Sequence, residues 1–180
     1  MSEEETSKRW EKQPMLRPKI EKVTVNISVG KSGEPLEKAT RVLKEITGQT
    51  PCKRKAKDSI RDFGIRKGES IACIVTLREE KAIEFLKKAL PVVDNKIQAR
   101  SFDAQGNFSF GIKEHIELPG VRYDPEVGIF GMDVCVSVTR PGYRVKNRRY
   151  AKSKLGPNHV LRPEESMIFV KDTLGVEVVK

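Results

Sequence analysis

Lys22-Val23-Thr24-Val25-Asn26-Ile27-Ser28-Val29 carries an apolar side chain at every second position and a small polar one between each pair. A period of two is that of a β-strand with one buried face, since a helix would divide the four apolar residues between opposite sides. The other face, Thr24, Asn26 and Ser28, is left for solvent or a ligand. The period then changes: Leu36, Ala39, Val42, Leu43 and Ile46 recur at helical spacing, with Pro35 in the first turn and Gly48 as the expected C-cap. Glu34 with Lys38, and Glu37 with Arg41, are i,i+4 pairs on the exposed side of that helix.

Outward from this strand–helix unit, residues 71–77 read as a second strand and 50–56 as its partner. A polar stretch containing Gly64 and Gly68 joins them as a long hairpin. Residues 79–90 predict a helix with Ala82, Leu86, Ala89 and Leu90 inward. Phe108, Phe110 and Ile112 alternate in one further strand, and Val134, Val136 and Val138 in another. A last helix runs over 163–174 and stops at Gly175. Because strands and helices mix without regular βαβ alternation, the expected class is α+β: a mainly antiparallel sheet, helices packed on one face, and long basic loops. Residues 1–13, with Glu3, Glu4, Glu5 and Glu11 among Lys8, Arg9 and Lys12, read as a flexible tail. Residues 14–180 then form a single domain with a basic loop over 141–160.

The charge balance narrows the function. Thirty-five Lys and Arg against twenty-five Asp and Glu leave a formal charge of +10, which points to a polyanionic partner. No apolar run is long enough for a membrane span, and the acidic N-terminus has no signal-peptide core, so a soluble, cytosolic protein is expected. Cys52, Cys73 and Cys135 are far apart and read as reduced residues lining the core, not as a disulfide framework or metal site. Gly30-Lys31-Ser32 follows a strand and precedes a helix as a phosphate-binding loop would, but Val25 stands where that motif needs its first glycine. His115 and His159 lack the partners a zinc hydrolase needs, and there is no G-x-S-x-G elbow. No enzyme, cofactor or metal is expected, a nucleotide-dependent enzyme on Gly30-Lys31-Ser32 being the minor alternative.

Cations instead gather in two places. Lys53, Arg54, Lys55, Lys57, Arg61, Arg66 and Lys67 crowd the hairpin. Arg144, Lys146, Arg148, Arg149, Lys152 and Lys154 follow Pro141 with no acid between them, and Tyr143 and Tyr150 are interleaved. Six uncompensated cations repel one another unless phosphates neutralise them, and tyrosines can stack on unpaired bases. RNA is the partner this favours, whether in an assembly or for a free-standing RNA-binding module.

Ordered blocks carry a family resemblance. They include Val25-Asn26-Ile27, Thr47-Gly48-Gln49-Thr50-Pro51, Arg61-Asp62-Phe63-Gly64-Ile65-Arg66-Lys67-Gly68, Phe110-Gly111-Ile112-Lys113-Glu114-His115 and Gly128-Ile129-Phe130-Gly131-Met132-Asp133. Over residues 14–178 the chain resembles the large-subunit ribosomal protein number five family, in its archaeal form. The resemblance implies a non-catalytic ribosomal constituent in the cytoplasm that docks 5S rRNA at the central protuberance. It implies 5S contacts at Asn26, Gln49 and Thr76, with Lys53, Arg54 and Lys55 beside them. It also implies a hairpin, with Arg61, Phe63, Arg66 and Lys67, that reaches peptidyl-site tRNA. The cations of the 141–160 loop would meet 23S-type rRNA backbone. Neighbouring large-subunit proteins and a small-subunit head protein are the implied protein partners.

Overall fold

A computed structural model describes residues 3–179. The chain runs α1 (Glu3–Lys12), β1 (Lys19–Ser28), α2 (Glu34–Thr47), β2 (Cys52–Lys55), β3 (Ser70–Leu77) and α3 (Glu79–Ala89). It continues through β4 (Lys96–Gln98), β5 (Phe108–Ile112), β6 (Met132–Thr139), α4 (Arg144–Asn147), α5 (Pro163–Leu174) and β7 (Glu177–Val179). The alternating stretch sits at the centre of the main sheet, whose five strands lie in the order β2-β3-β1-β6-β5 with every neighbouring pair antiparallel. The class is α+β, as the sequence predicts.

Register carries the period of two from β1 into its neighbours. Val23, Val25 and Ile27 stand opposite Leu77, Val75 and Cys73 of β3, while Val23 and Val25 also face Val136 and Val134 of β6. All of these are buried, in one cluster with Leu36, Ala39 and Leu43 of α2, Phe85 and Leu86 of α3, and Phe169 and Val170 of α5. Each aliphatic side chain so buried is worth about 1.5–3 kcal/mol. A one-residue slip of β1 would bury Thr24, Asn26 and Ser28 in place of three such residues, so the register is strongly fixed. The caps hold where expected: Gly48 and Gly175 adopt left-handed φ values of 64° and 65°, which end α2 and α5.

Four expectations need correction. Residues 3–12 form a helix, and it is docked: Thr6 and Trp10, one turn apart, are buried, and Trp10 joins the cluster that holds Phe169. Composition hides these two buried side chains within a charged helix; Met1, Ser2 and Lys180 lie outside the described residues. Only Cys73 lines the core, whereas Cys52 and Cys135 are exposed, because they fall opposite Ile74 and Thr24 in the outward phase of the strands. The pairing of β4 with β7, parallel and three residues long, was not foreseen at all.

The fourth correction concerns residues 141–160, read only as a basic loop. Tyr143 is half-buried against the core, its hydroxyl accepts the Leu161 N–H at 2.7 Å, and its ring meets His159 edge-on at 5.9 Å. The segment is closed at its base by Arg140, which is 2% exposed. That guanidinium donates to the Leu16 carbonyl at 2.8 Å and to the His159 and Val160 carbonyls at 3.3 and 3.4 Å, and it pairs with Glu165 Oε2 at 2.7 Å. Removing one member of a buried pair strands the other, at a cost of about 3–5 kcal/mol. Glu165→Ala should therefore lower urea-unfolding stability by roughly that amount, while Ala at exposed Glu164 should change it by about 0.5 kcal/mol or less.

Candidate nucleic-acid interface

The phase of the strands that does not enter the core forms a continuous outer face. From β1 it takes Lys22, Thr24, Asn26 and Ser28, and Thr24 and Asn26 stand opposite Thr76 and Ile74 of β3. Cys135 and Asp133 of β6 face the same two residues of β1 from the other side, Ser137 faces Lys22, and Ser109 and Gly111 of β5 extend the row. Nearly all of these are exposed or half-buried, and none is aromatic. At the centre, the Asn26 side-chain amide donates to Ser28 Oγ at 2.9 Å and approaches Asp133 Oδ2 at 3.5 Å. Its side-chain carbonyl takes up no donor among the described residues, which leaves it as an outward-facing acceptor.

Asn26 and Thr76 thus lie diagonally across adjacent strands on one face. Gln49 lies between the cap of α2 and the start of β2, half-buried, three residues before the Cys52–Ile74 pair that borders the face. The three cations of β2 divide. Lys53 stands opposite Cys73, in the inward phase, and its ammonium reaches toward Glu37 of α2 at 3.9 Å. A bulge between Arg54 and Lys55 sets them opposite Ala72 and Ser70, both in the outward phase, so these two border the face. Lys53 is therefore separated from the other two. Sequence reasoning placed Thr24 on this face with Asn26 and Ser28 but missed Ser109, Ser137 and Lys22. Their signal was present in the complementary positions of strands that were read only for their apolar residues.

Beyond β2 the hairpin is ordered. Ala56 and Glu69 pair at its base (2.7 Å), and Ile60 and Ile65 exchange backbone hydrogen bonds at 3.0 and 3.2 Å, closing a tight tip over residues 61–64. Phe63 stands at that tip, 70% exposed, with Arg61, Arg66 and Lys67 also in solvent. The Gly30-Lys31-Ser32 turn is tied to this hairpin and is no phosphate cradle. The Ser32 hydroxyl donates to Glu69 Oε1, and Glu69 Oε2 accepts the Arg66 N–H at 3.0 Å. A carboxylate occupies the place where a phosphate would need donors. In the 141–160 segment Arg144, Lys146, Arg148, Arg149, Lys152 and Lys154 are all exposed. Tyr150 is exposed beneath the Arg149 guanidinium at 5.4 Å, whereas Tyr143 is half-buried and held in place through its hydroxyl.

A flat, uncovered, polar sheet face with cationic loops at its borders is thus the setting for the comparisons with known proteins. The profile described as "Ribosomal protein L5" matches residues 13–66, and the profile for the C-terminus of the same ribosomal family matches residues 70–160. The chain belongs to the ribosomal protein L5 family. It is 57% identical to the large ribosomal subunit protein uL5 of Pyrobaculum aerophilum over 165 residues, covering 92% of each chain. With the uL5 of Aeropyrum pernix it shares 54% over 171 residues, 94% of this chain and 89% of that one. With that of Methanococcoides burtonii it shares 49% over 165 residues, 92% and 98% of the two chains. The sheet face falls within the matched residues, as does the hairpin as far as Arg66.

In this L5-family chain the Ser32 and Arg66 hydrogen bonds hold the Glu69 carboxyl below its usual range, the hydroxyl contributing most. A depressed folded-state value means that the tether is present above the ordinary carboxylate pKa and is lost as pH falls through the lowered one. Glu69→Gln should accordingly speed amide hydrogen exchange at residues 56–69 at neutral pH while leaving exchange in β1 and β6 unchanged; equal exchange at the hairpin would show that the carboxylate tethers nothing.

Proposed function

We propose that the open sheet face docks on 5S rRNA and that the hairpin tip contacts tRNA in the peptidyl site. By family the chain is a ribosomal protein of the large subunit, and the reading is of a structural, RNA-binding constituent with no catalytic role. One observation carries it: five strands leave a whole face uncovered, and that face is built mainly from hydroxyls, an amide and small side chains, with Ile74 and the Asp133 carboxylate among them, instead of aromatic rings. Sheets that read unpaired bases do so by stacking on aromatics, which this face lacks. Hydroxyls and amides at close quarters suit the wide minor groove of an A-form helix, where 2′-hydroxyls and base edges are displayed. Arg54 and Lys55 at one border and Lys22 at another would meet phosphates and fix the register of docking.

Asn26, Gln49 and Thr76 are assigned to 5S rRNA contact on this basis, Asn26 supplying specificity through its outward carbonyl. Lys53, turned toward Glu37, would act by helping to set the β2–α2 edge and contribute less directly. Arg61, Phe63, Arg66 and Lys67 are assigned to the tRNA. A large apolar side chain held in solvent by an ordered turn suits contact with a partner's sugar or base surface, and the three cations suit its backbone. The cations of the 141–160 segment are assigned to backbone phosphates of the large rRNA. Contacts with neighbouring large-subunit proteins and with a small-subunit head protein follow from the resemblance alone.

Two measurements separate these roles. Asn26→Ala should weaken binding to 5S rRNA in a filter assay by about 1–3 kcal/mol, the scale of one specific polar contact, and leave binding to an unrelated RNA duplex nearly unchanged. Equal weakening of both would remove the specificity assignment. Ribosomes whose protein lacks residues 62–67 should retain 5S rRNA and hold peptidyl-site tRNA less well, and loss of 5S rRNA instead would contradict the division of labour.

A further inference from the structure

From Val134 to Pro163 the chain contains no acidic residue, and eight Lys and Arg fall in those thirty positions. Seven of the eight are exposed; among the described residues only Arg140 is neutralised by a carboxylate. Within this stretch the chain folds over a cavity of about 470 Å³, inside the range of roughly 300–1,000 Å³ typical of small-ligand sites. Its apolar lining is Tyr143, Leu155 and Val160. Lys146, Lys152 and Lys154 stand round it, and none of the three ammonium groups has a carboxylate partner among the described residues.

The walls are fixed on two sides. Tyr143 is held by its hydroxyl, which accepts from the Leu161 N–H at 2.7 Å and donates toward the His159 carbonyl at 3.4 Å. Gln105, a further lining residue, belongs to a turn in which Asp103 Oδ1 accepts the N–H groups of both Gln105 and Asn107 at 2.8 Å. The next residue, Gly106, is pinned because a Cβ there would lie 2.9 Å from that of Ser166. The Gln105 side-chain amide is itself without a partner among the described residues, so it offers both a donor and an acceptor at the rim.

A cavity with an aromatic and aliphatic lining, one amide at its edge and three unpaired ammonium groups around it matches a nucleotide in each part: a flat apolar base, an edge of donors and acceptors, and phosphates on either side. We propose that this cavity receives one rRNA nucleotide extruded from its helix, its base against Tyr143, Leu155 and Val160 and its flanking phosphates among Lys146, Lys152 and Lys154. This rests on the reading of the 141–160 segment as an rRNA contact and adds to it a single recognised, unstacked base. The unneutralised charge favours a polyanion's nucleotide over a free acyl chain, whose single carboxylate would leave two of the three lysines unpaired.

The test uses the full chain and two short RNA duplexes, one carrying a single bulged fluorescent aminopurine and the other the same sequence fully paired. The bulged duplex should bind about tenfold or more tightly, the scale of one stacked base, and the aminopurine emission should change on binding. Val160→Trp, which fills the cavity from a partly exposed position, should abolish the preference and leave affinity for the paired duplex and the thermal midpoint unchanged. Gln105→Ala, on the exposed rim, should reduce the preference several-fold and provides the reading if Val160→Trp fails to fold. Equal affinity of the intact chain for the two duplexes would overturn the cavity assignment and leave the RNA-binding reading standing. Binding to neither would overturn both. Displacement of a fluorescent fatty acid from the cavity, with no discrimination between the RNAs, would assign it to an acyl chain instead.

Discussion

The arrangement depends on one buried cation. Arg140 leaves the end of β6 and turns inward, and its guanidinium satisfies three backbone carbonyls and one carboxylate from segments distant in sequence. A lysine could not make this set of bonds, since it offers a compact charge where Arg presents a planar fork of five donors. Two of the carbonyls belong to His159 and Val160, at the far end of the basic segment that Arg140 itself begins. The guanidinium therefore closes that segment into a loop. His159 Nε2 and the Pro141 carbonyl, 2.8 Å apart, make a second tie just inside it. A run of like charges that would otherwise spread is thereby held against the body of the protein, and its exposed cations are presented from a fixed base.

The same economy governs the sheet. One strand phase supplies the core, and the other supplies a surface on which a partner's backbone can come close because the side chains are short. Charge is kept mainly to the borders: Arg54 and Lys55 share the outer face only because a bulge resets the phase of β2 there. Had the register continued, one of the two would have turned toward α2, as Lys53 does. The bulge thus converts an alternating edge strand into a cationic border, and it also blunts an edge that could otherwise pair with another chain.

How much of this the sequence disclosed follows from how each element announces itself. β1, α2 and α5 were legible because period and punctuation agree: Val23 to Val29 alternate, and Gly48 and Gly175 end the helices where the apolar spacing stops. α1 was not, since its buried Thr6 and Trp10 are hidden within a charged decapeptide. β4 and β7 are too short to show a period, and about eighty residues separate them in the chain. In the interface, Asn26 and Thr76 could be placed on one face once their strands were neighbours, but the split of Lys53 from Arg54 and Lys55 needed a bulge that no local pattern reveals. Nothing in the sequence marked Arg140 out, because the carboxylate that pairs with it stands on another element, twenty-five residues later.

That difference between Arg140 and the cations after it bears on how binding and folding are related. A cation with an internal carboxylate and three carbonyls contributes to the fold and has nothing left to offer a phosphate. Arg144, Lys146, Lys152 and Lys154 have no carboxylate partners among the described residues and add mutual repulsion to the free protein, a cost that falls when an anion approaches. On the proposed reading of this segment, binding would be favoured twice over, by counterions released from the RNA and by relief of repulsion within the loop. The relief is realised only if the loop cannot relax by moving its charges apart, and Arg140 is what prevents that: by fixing both ends of the segment it converts repulsion that flexibility would dissipate into free energy available to a phosphate-bearing partner.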